Sequence, residues 1–271
     1  MSSGEREQVV GVLVTHNSQA FLAELLESIE SQSQKLDQLI VIDDNSTDLT
    51  RSILTEHGIM AIRSTSTATD LSTRIAINFL QGVAHAPPGA IVILGDHDDT
   101  WLPNRVEHQS AIMRAFPNAA MLASDGNTGT QNAPQETLQT LQTQQTLRST
   151  FPVPENWGAL TKRQQFTYAV KHSIATGGAS AIRPDKLPTT IPAGWLHDRW
   201  WSLAAISTHA MVLDTEPVIN YRITPEQQVG LDTRAQNKSA RSWLTHHARN
   251  SGTSIKRSSD LALLFTGRLN K

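Results

Sequence analysis

The sequence predicts an α/β fold, a mostly parallel central sheet flanked by helices. Three observations carry that prediction. Short apolar runs alternate with amphipathic stretches of helical spacing from Val9 to Ala123, the rhythm of strand–helix–strand units in a parallel sheet. Two of the apolar runs end in acid clusters, Asp43-Asp44-Asn45-Ser46-Thr47-Asp48 and Asp96-His97-Asp98-Asp99, at the carboxyl edge where open α/β sheets bind ligands. No Gly-rich turn follows the first run, so the dinucleotide-binding variant of such a fold is not expected.

The elements follow in order. Val9 to Thr15 is a β-branched run that reads as a buried strand. Phe21, Leu22, Leu25, Leu26 and Ile29 recur at helical spacing, with Asn17 or Ser18 as the expected cap. Gln38 to Ile42 is the second strand, Leu49 to His57 a helix stopped by Gly58, and Ile59 to Arg63 a short third strand. Leu71 to Ala84 reads as a helix broken by Pro87-Pro88-Gly89, and Ala90 to Leu94 as the fourth strand. Asn104 to Ala115 is expected to be helical and Ala119 to Ala123 a strand. The Gln/Thr-rich stretch 127–150 departs in composition and reads as an insertion, either an exposed helix or a mobile segment. Beyond it, Phe151 to Ile182 is expected to be mostly helical up to Gly177-Gly178. Trp195 to Thr208 reads as a helix, and Ala210 to Leu213 and Pro217 to Tyr221 as two short strands. The domain organisation expected is one catalytic domain over 1–235 and a basic, helical tail over 236–271.

Bulk composition narrows the chemistry. The chain of 271 residues fits one α/β domain with insertions. It has no cysteine, which excludes disulfides, thiolate metal sites and cysteine nucleophiles. Any metal must therefore be held by carboxylates, His or water, which favours Mg²⁺ or Mn²⁺ over structural zinc. A formal net charge of −2 gives no nucleic-acid signature. Met1 to Gln8 lacks the apolar core of a signal peptide, and no apolar run approaches the ~18 residues of a membrane helix; a cytoplasmic protein is expected. Charge is uneven, however. From Gln236 to Lys271 seven Lys or Arg face the single acid Asp260, a balance of +6 that leaves −8 on the remainder. Leu261, Leu264, Phe265 and Leu269 recur near helical spacing there, beside Lys256, Arg257 and Arg268. That face suits either peripheral contact with an anionic membrane surface or packing on the acidic remainder of the chain.

The acid clusters are the chemistry-bearing features. Acids two apart on an extended segment point the same way, so Asp96 and Asp98 could share one hard cation, with a nucleotide diphosphate completing its shell. A solvated turn is the plainer alternative. In the first cluster, Asn45, Ser46 or Asp48 could cap the following helix, while one Asp could accept a hydrogen bond from a nucleobase or ribose.

Four stretches carry a resemblance, in order along the chain: VVGVLVTHN, QLIVIDDNSTDLT, ILGDHDDTWLPNRVEHQ, and GWLHDRWWSLAA followed by EPVINYR. Together they resemble the family 2 glycosyltransferases, inverting enzymes of the GT-A fold, and particularly their bacterial rhamnosyltransferase-like branch. The resemblance implies a nucleotide-diphospho-sugar transferase of hexosyltransferase type that acts in cell-envelope polysaccharide synthesis. It implies Mn²⁺ or Mg²⁺ as cofactor, a UDP- or dTDP-linked donor before a GDP-linked one, and a glycan or lipid-linked acceptor. Residue by residue, Asp44 matches the position that hydrogen-bonds the donor pyrimidine, with Val14 and His16 lining the base. Asp96 and Asp98 match the DXD pair, Asp98 as the direct metal ligand and Asp99 behind them. Asn78 matches a donor-site Asn in the helix before the metal strand, with Arg74 one turn earlier. Trp101, Pro103 and Arg105 would fix the turn after the metal site. Asp198 matches the catalytic base, which would take the acceptor hydroxyl proton, and His197 would set its environment. Thr176-Gly177-Gly178 matches an acceptor-side segment of close backbone approach.

The sequence departs from the family pattern in two places. Thr224 and Gln227 stand where His and Asn are usual, and His16 replaces a Thr-Tyr or Ser-Tyr turn. Two other functions share some of these features. A nucleotidyltransferase normally needs a basic Gly-rich loop, and Gly11 to Gln19 holds no Lys or Arg. A non-catalytic nucleotide- or glycan-binding module would not need Asp96, Asp98 and Asp198 together.

Overall fold

The computed structural model describes residues 6–130, 145–223 and 259–265. Its elements run β1 (Val9–Thr15), α1 (Leu22–Glu30), β2 (Gln38–Asp43), α2 (Thr50–Glu56), β3 (Ile62–Arg63), α3 (Leu71–Ala84), β4 (Ile91–Asp96), β5 (Thr100–Trp101) and α4 (Arg105–Ala115). They continue with β6 (Met121–Thr130), β7 (Gln145–Thr146), α5 (Leu147–Thr150), α6 (Lys162–Lys171), β8 (Ser180–Ile182), α7 (His197–Ser207) and β9 (Met211–Ile223). The strands form one sheet in the order β3-β2-β1-β4-β8-β6-β9-β5, with β7 paired to β6 outside that path. β3, β2, β1 and β4 run parallel, and β8 lies antiparallel between β4 and β6.

Alternation along the strands builds a core on each face of the sheet. Val10, Val12 and Val14 of β1 join Ile40, Ile42, Val92 and Leu94 beneath Phe79 of α3 and Trp200 and Trp201 of α7. Val9 and Leu13 point the other way, with Val41, Ile91 and Ile93, against Leu22, Leu25 and Leu26 of α1 and Val106 and Met113 of α4. The expected α/β sheet flanked by helices is therefore what forms.

Several expected elements differ, each for a local reason. α1 begins without a side-chain cap: the Ser18 carbonyl accepts from Phe21 and Leu22, while the Ser18 hydroxyl accepts from the His16 N–H at 3.1 Å. The stretch before Gly177-Gly178 is not mostly helical. Its one α-helix is α6, opened by a Thr161–Gln164 capping box and preceded by a 3₁₀ turn at Trp157–Ala159, and residues 172–176 then run extended into a second 3₁₀ turn and the interior strand β8. The two short strands after α7 are one strand, β9, whose register against β6 shifts between Ala123 and Asn127. The stem of the 127–150 insertion is a strand pair, Asn127 opposite Thr146 and Thr128 opposite Gln145, followed by a turn of helix rather than an exposed long helix. Residues 131–144 lie outside the described residues.

Within the basic tail, the described helical residues 259–265 turn their apolar face inward. Leu264 is buried in the α6–α7 core, with Leu261 and Phe265 packed against it. The Phe265 ring meets Phe166 at 5.0 Å, and Lys162 Nζ stands 5.3 Å over it. Leu261, Leu264 and Phe265, part of the face that the sequence offered to a membrane, thus pack against the fold. Leu269, Lys256, Arg257 and Arg268, like Thr224 and Gln227, lie outside the described residues. No helix among the described residues is long and apolar enough to cross a membrane.

Candidate active site

Strand register brings the two acid clusters to one edge. β1 lies between β2 and β4, with Val14 opposite Ile42 on one side and Asp96 on the other, and Thr15 opposite Asp43. Parallel strands ending together put both sets of acids at the carboxyl edge, with Val14 and His16 between them.

At the end of β2 the acids are already partnered. Buried Asp43 accepts from Arg51 Nε at 2.7 Å and from Thr15 Oγ1 at 3.3 Å. Asp44, also buried, donates its N–H to the Thr15 carbonyl and pairs with Arg74 Nε of α3 at 2.9 Å. His16 Nδ1 lies 2.7 Å from the Asp44 carbonyl. Burial would raise the Asp48 carboxyl, but hydrogen bonds from Thr50 and Gln19 outweigh it and hold the group below its ordinary value. Asp48 is thus the local helix-start acid that the sequence allowed. Asn78 is fully buried: its Oδ1 accepts from Ser64 Oγ, while its Nδ2 has no hydrogen-bond partner among the described residues.

The end of β4 is different. Asp96, Asp98 and Asp99 crowd one another. Burial, then Asp98 and Asp198, push the Asp96 carboxyl up to about 7. Burial, then Asp98 and Asp96, raise Asp99 well above the carboxylate range, and Asp99 Oδ2 has no hydrogen-bond partner among the described residues. Arg105, the first residue of α4, is fully buried, and its charge offsets part of the repulsion on both acids. Its Nη2 donates to the Leu94 carbonyl at 2.7 Å, its Nε to Gln109 Oε1 at 3.1 Å, and its guanidinium lies 4.1 Å over the Trp101 ring. Burial pulls Arg105 down to about 9 against the attraction of Asp99 and Asp96. A second buried cation, Arg222 of β9, ties the loop down: its N–H donates to Asp99 Oδ1 at 3.1 Å, Nε to the Asp98 carbonyl at 2.8 Å and Nη2 to Glu24 at 2.6 Å. Sequence reading placed Arg105 and Arg222 in recognisable segments but did not reveal their burial, because charged residues are seldom fully buried unless paired.

Asp198 enters from the other side, in the first turn of α7, where the helix N-terminus favours a carboxylate. Burial raises its carboxyl, and hydrogen bonds from the Arg199 and Gly177 N–H groups only partly offset this. The 3₁₀ turn at Gly177–Ala179 joins the two sites. Gly177 N–H donates to Asp198 Oδ2 at 3.3 Å and Gly178 N–H to Asp96 Oδ2 at 3.0 Å. Gly178 must be glycine here, since a Cβ would stand 2.7 Å from Asp96 Oδ2 and 2.9 Å from Asp99 Oδ2.

No group of three His, Asp or Glu among the described residues is arranged to hold a metal ion. The donor set nevertheless fits a hard cation. Carboxylate oxygens crowd with only part of their charge offset by Arg105, Asp99 Oδ2 has no hydrogen-bond partner among the described residues, and Mg²⁺-like ions are commonly held by one or two carboxylates with substrate phosphates supplying the rest.

Comparison with known proteins gives this arrangement its context. The family model described as glycosyl transferase family 2 matches residues 12–189. EpsE, a candidate glycosyltransferase of Bacillus subtilis (strain 168), is 33% identical over 114 residues, covering 42% of this chain and 40% of EpsE. S. aureus TarS is similar in fold at a TM-score of 0.51 and 14% identity, over 81% of this chain and 37% of TarS. Glucosyl-3-phosphoglycerate synthase of Mycobacterium tuberculosis, solved with Mn²⁺, UDP and glucosyl-3-phosphoglycerate, matches at a TM-score of 0.51 and 16% identity, over 81% of this chain and 73% of the synthase. The chain spans well under half the length of EpsE and of TarS.

Proposed function

The chain belongs to glycosyl transferase family 2, a family of enzymes, and we propose that it transfers a sugar from a nucleotide diphosphate donor to an acceptor hydroxyl with inversion at the anomeric carbon. The observation that carries this reading is the pair of carboxylates held on consecutive amides, Asp198 on Gly177 and Asp96 on Gly178. On this reading Asp198 serves the acceptor and Asp96 the donor. Asp198, its carboxyl raised by burial, takes the proton of the acceptor hydroxyl as that oxygen bonds to the anomeric carbon. The bond from that carbon to the diphosphate oxygen breaks, and the nucleoside diphosphate leaves with the electron pair. Asp98 and Asp96 would hold Mn²⁺ or Mg²⁺, which when bound supplies positive charge against the leaving diphosphate.

Donor recognition would fall to the β2 edge. Val14 and His16 flank the space beside Asp44, and the Arg74–Asp44 pair presents both a cation and an acceptor there. TarS has been solved with UDP, in a structure that matches this chain at a TM-score of 0.50, and the synthase with UDP and Mn²⁺, which makes UDP the first base to try. The rhamnosyltransferase-like segments put dTDP-rhamnose in the same panel. A glycan or lipid-linked acceptor is proposed on the family resemblance.

The test is release of nucleoside diphosphate from a panel of sugar nucleotides with Mn²⁺, against EDTA and against Asp198→Asn. Metal-dependent release that fails in the variant supports transfer. Binding of a nucleotide with no release from any donor would make the chain a non-catalytic binding module instead.

A further inference from the structure

His197 is 4% exposed, and neither ring nitrogen has a hydrogen-bond partner among the described residues. Two unpartnered polar atoms cost free energy that a hydrocarbon side chain would not, so filling space does not by itself account for a histidine. Burial drives its imidazole down to about 3, so the ring is neutral at working pH. Its surroundings define a slot. One face stacks on Phe79 of α3 at 3.7 Å and 25°, and Trp201 meets it edge-on at 5.5 Å. Gly177 closes the slot: a Cβ there would lie 2.5 Å from Nε2 and 2.9 Å from Cε1. The ring cannot swing aside, because Phe79 and Trp201 hold it. Gly177 has no left-handed backbone to explain its identity, so the space taken by the ring is what requires a glycine.

We propose that His197 is a positioning residue: its flat ring fixes the height of the Gly177–Gly178 turn, whose two N–H groups then place Asp198 and Asp96 relative to each other. Imidazole is the smallest flat ring available. A phenyl would press into Gly177, and an aliphatic chain would not stack on Phe79. Phe79 lies on α3, the helix that also carries Arg74, so the same stack ties the turn to the donor side of the site. This inference rests on the roles proposed above for Asp198 and Asp96.

The test is a double-mutant cycle of His197→Ala and Gly177→Ala, read by donor KM and kcat, thermal unfolding, and amide exchange of residues 173–182. Gly177→Ala pushes the turn up against the ring and should lower kcat by about 10²-fold, the scale of a ~1 Å misplacement. His197→Ala lets the turn drop and should cost about tenfold in kcat, with a smaller change in donor KM and faster exchange at Gly177 and Gly178. Combined, the two changes relieve each other, and the double variant should recover about tenfold in kcat over Gly177→Ala, as contacting residues do. Leu203→Ala, a buried truncation on the same helix, controls for stability loss and should leave exchange of the turn unchanged. Losses that multiply, or turn amides as protected in His197→Ala as in the parent, would overturn the proposal. Should the parent turn over no donor, the functional reading fails separately, and the exchange and unfolding cycle still decides for or against the wedge.

Discussion

The two acid clusters sit at the same edge of the same sheet and are built on opposite principles. At the end of β2 each acid has a cation or an N–H group: Arg51 for Asp43, Arg74 for Asp44, and the Thr50 and Gln19 amides for Asp48. At the end of β4 three acids within four residues face one another, and the raised Asp96 and Asp99 carboxyls register the strain. The first cluster is complete as it stands. The second is charge-frustrated, and Arg105 behind it relieves only part of the repulsion. Such an arrangement persists where a cation or a reacting group completes it, which is why perturbed groups mark functional sites.

That contrast can be broken by substitution. The largest effect is expected at Asp198→Asn, which keeps the shape of the proposed base without its basicity. Turnover should fall by ~10²–10⁴-fold with donor affinity nearly unchanged. Near-parental turnover would move the base elsewhere. Next come the two arginines. Arg105→Leu removes a fully buried cation from among acids and should cost about 3–5 kcal/mol in unfolding free energy. Arg51→Met removes a cation whose side chain is 49% exposed, and about 1 kcal/mol or less is expected. Equal losses in chemical denaturation would mean that the two clusters are not electrostatically different.

A smaller effect should appear with pH. A carboxyl raised in the folded state stabilises the fold below its unfolded value of 3.8, and that contribution is lost as pH rises through the folded value, about 7 for Asp96. The metal-free protein should therefore lose melting temperature from pH 5 to 8. Added Mn²⁺ should restore more of it at pH 8 than at pH 6, since the ion competes with the proton. Asp96→Asn should flatten the dependence; an unchanged slope would assign it to other groups.

The sequence made the sheet and its working edge legible because buried strands leave apolar runs and acids at their ends interrupt them. α3 was readable to the residue, with Asp70 accepting from Thr73 N–H as its cap. Residues 151–182 were not, because β8 is three residues long and its place between β4 and β6 is fixed by distant partners. Asp96, Asp98 and Asp198 came from local patterns and from resemblance to a family. The convergence of Asp96 and Asp198 through Gly177 and Gly178 could not, since it depends on a glycine 82 residues beyond Asp96 folding back onto it. For Asn78 the position in α3 is legible, but its burial and its contact with Ser64 belong to packing.

The most direct test of the central contrast is calorimetric titration of UDP into the protein with Mn²⁺ and with EDTA, in the parent and in Asp98→Ala. The account predicts Mn²⁺-dependent binding in the parent, loss of that dependence in Asp98→Ala, and an unfolding transition in the variant no weaker than the parent's. Equal UDP binding in Mn²⁺ and EDTA, or a variant that binds metal and nucleotide as the parent does, would contradict it.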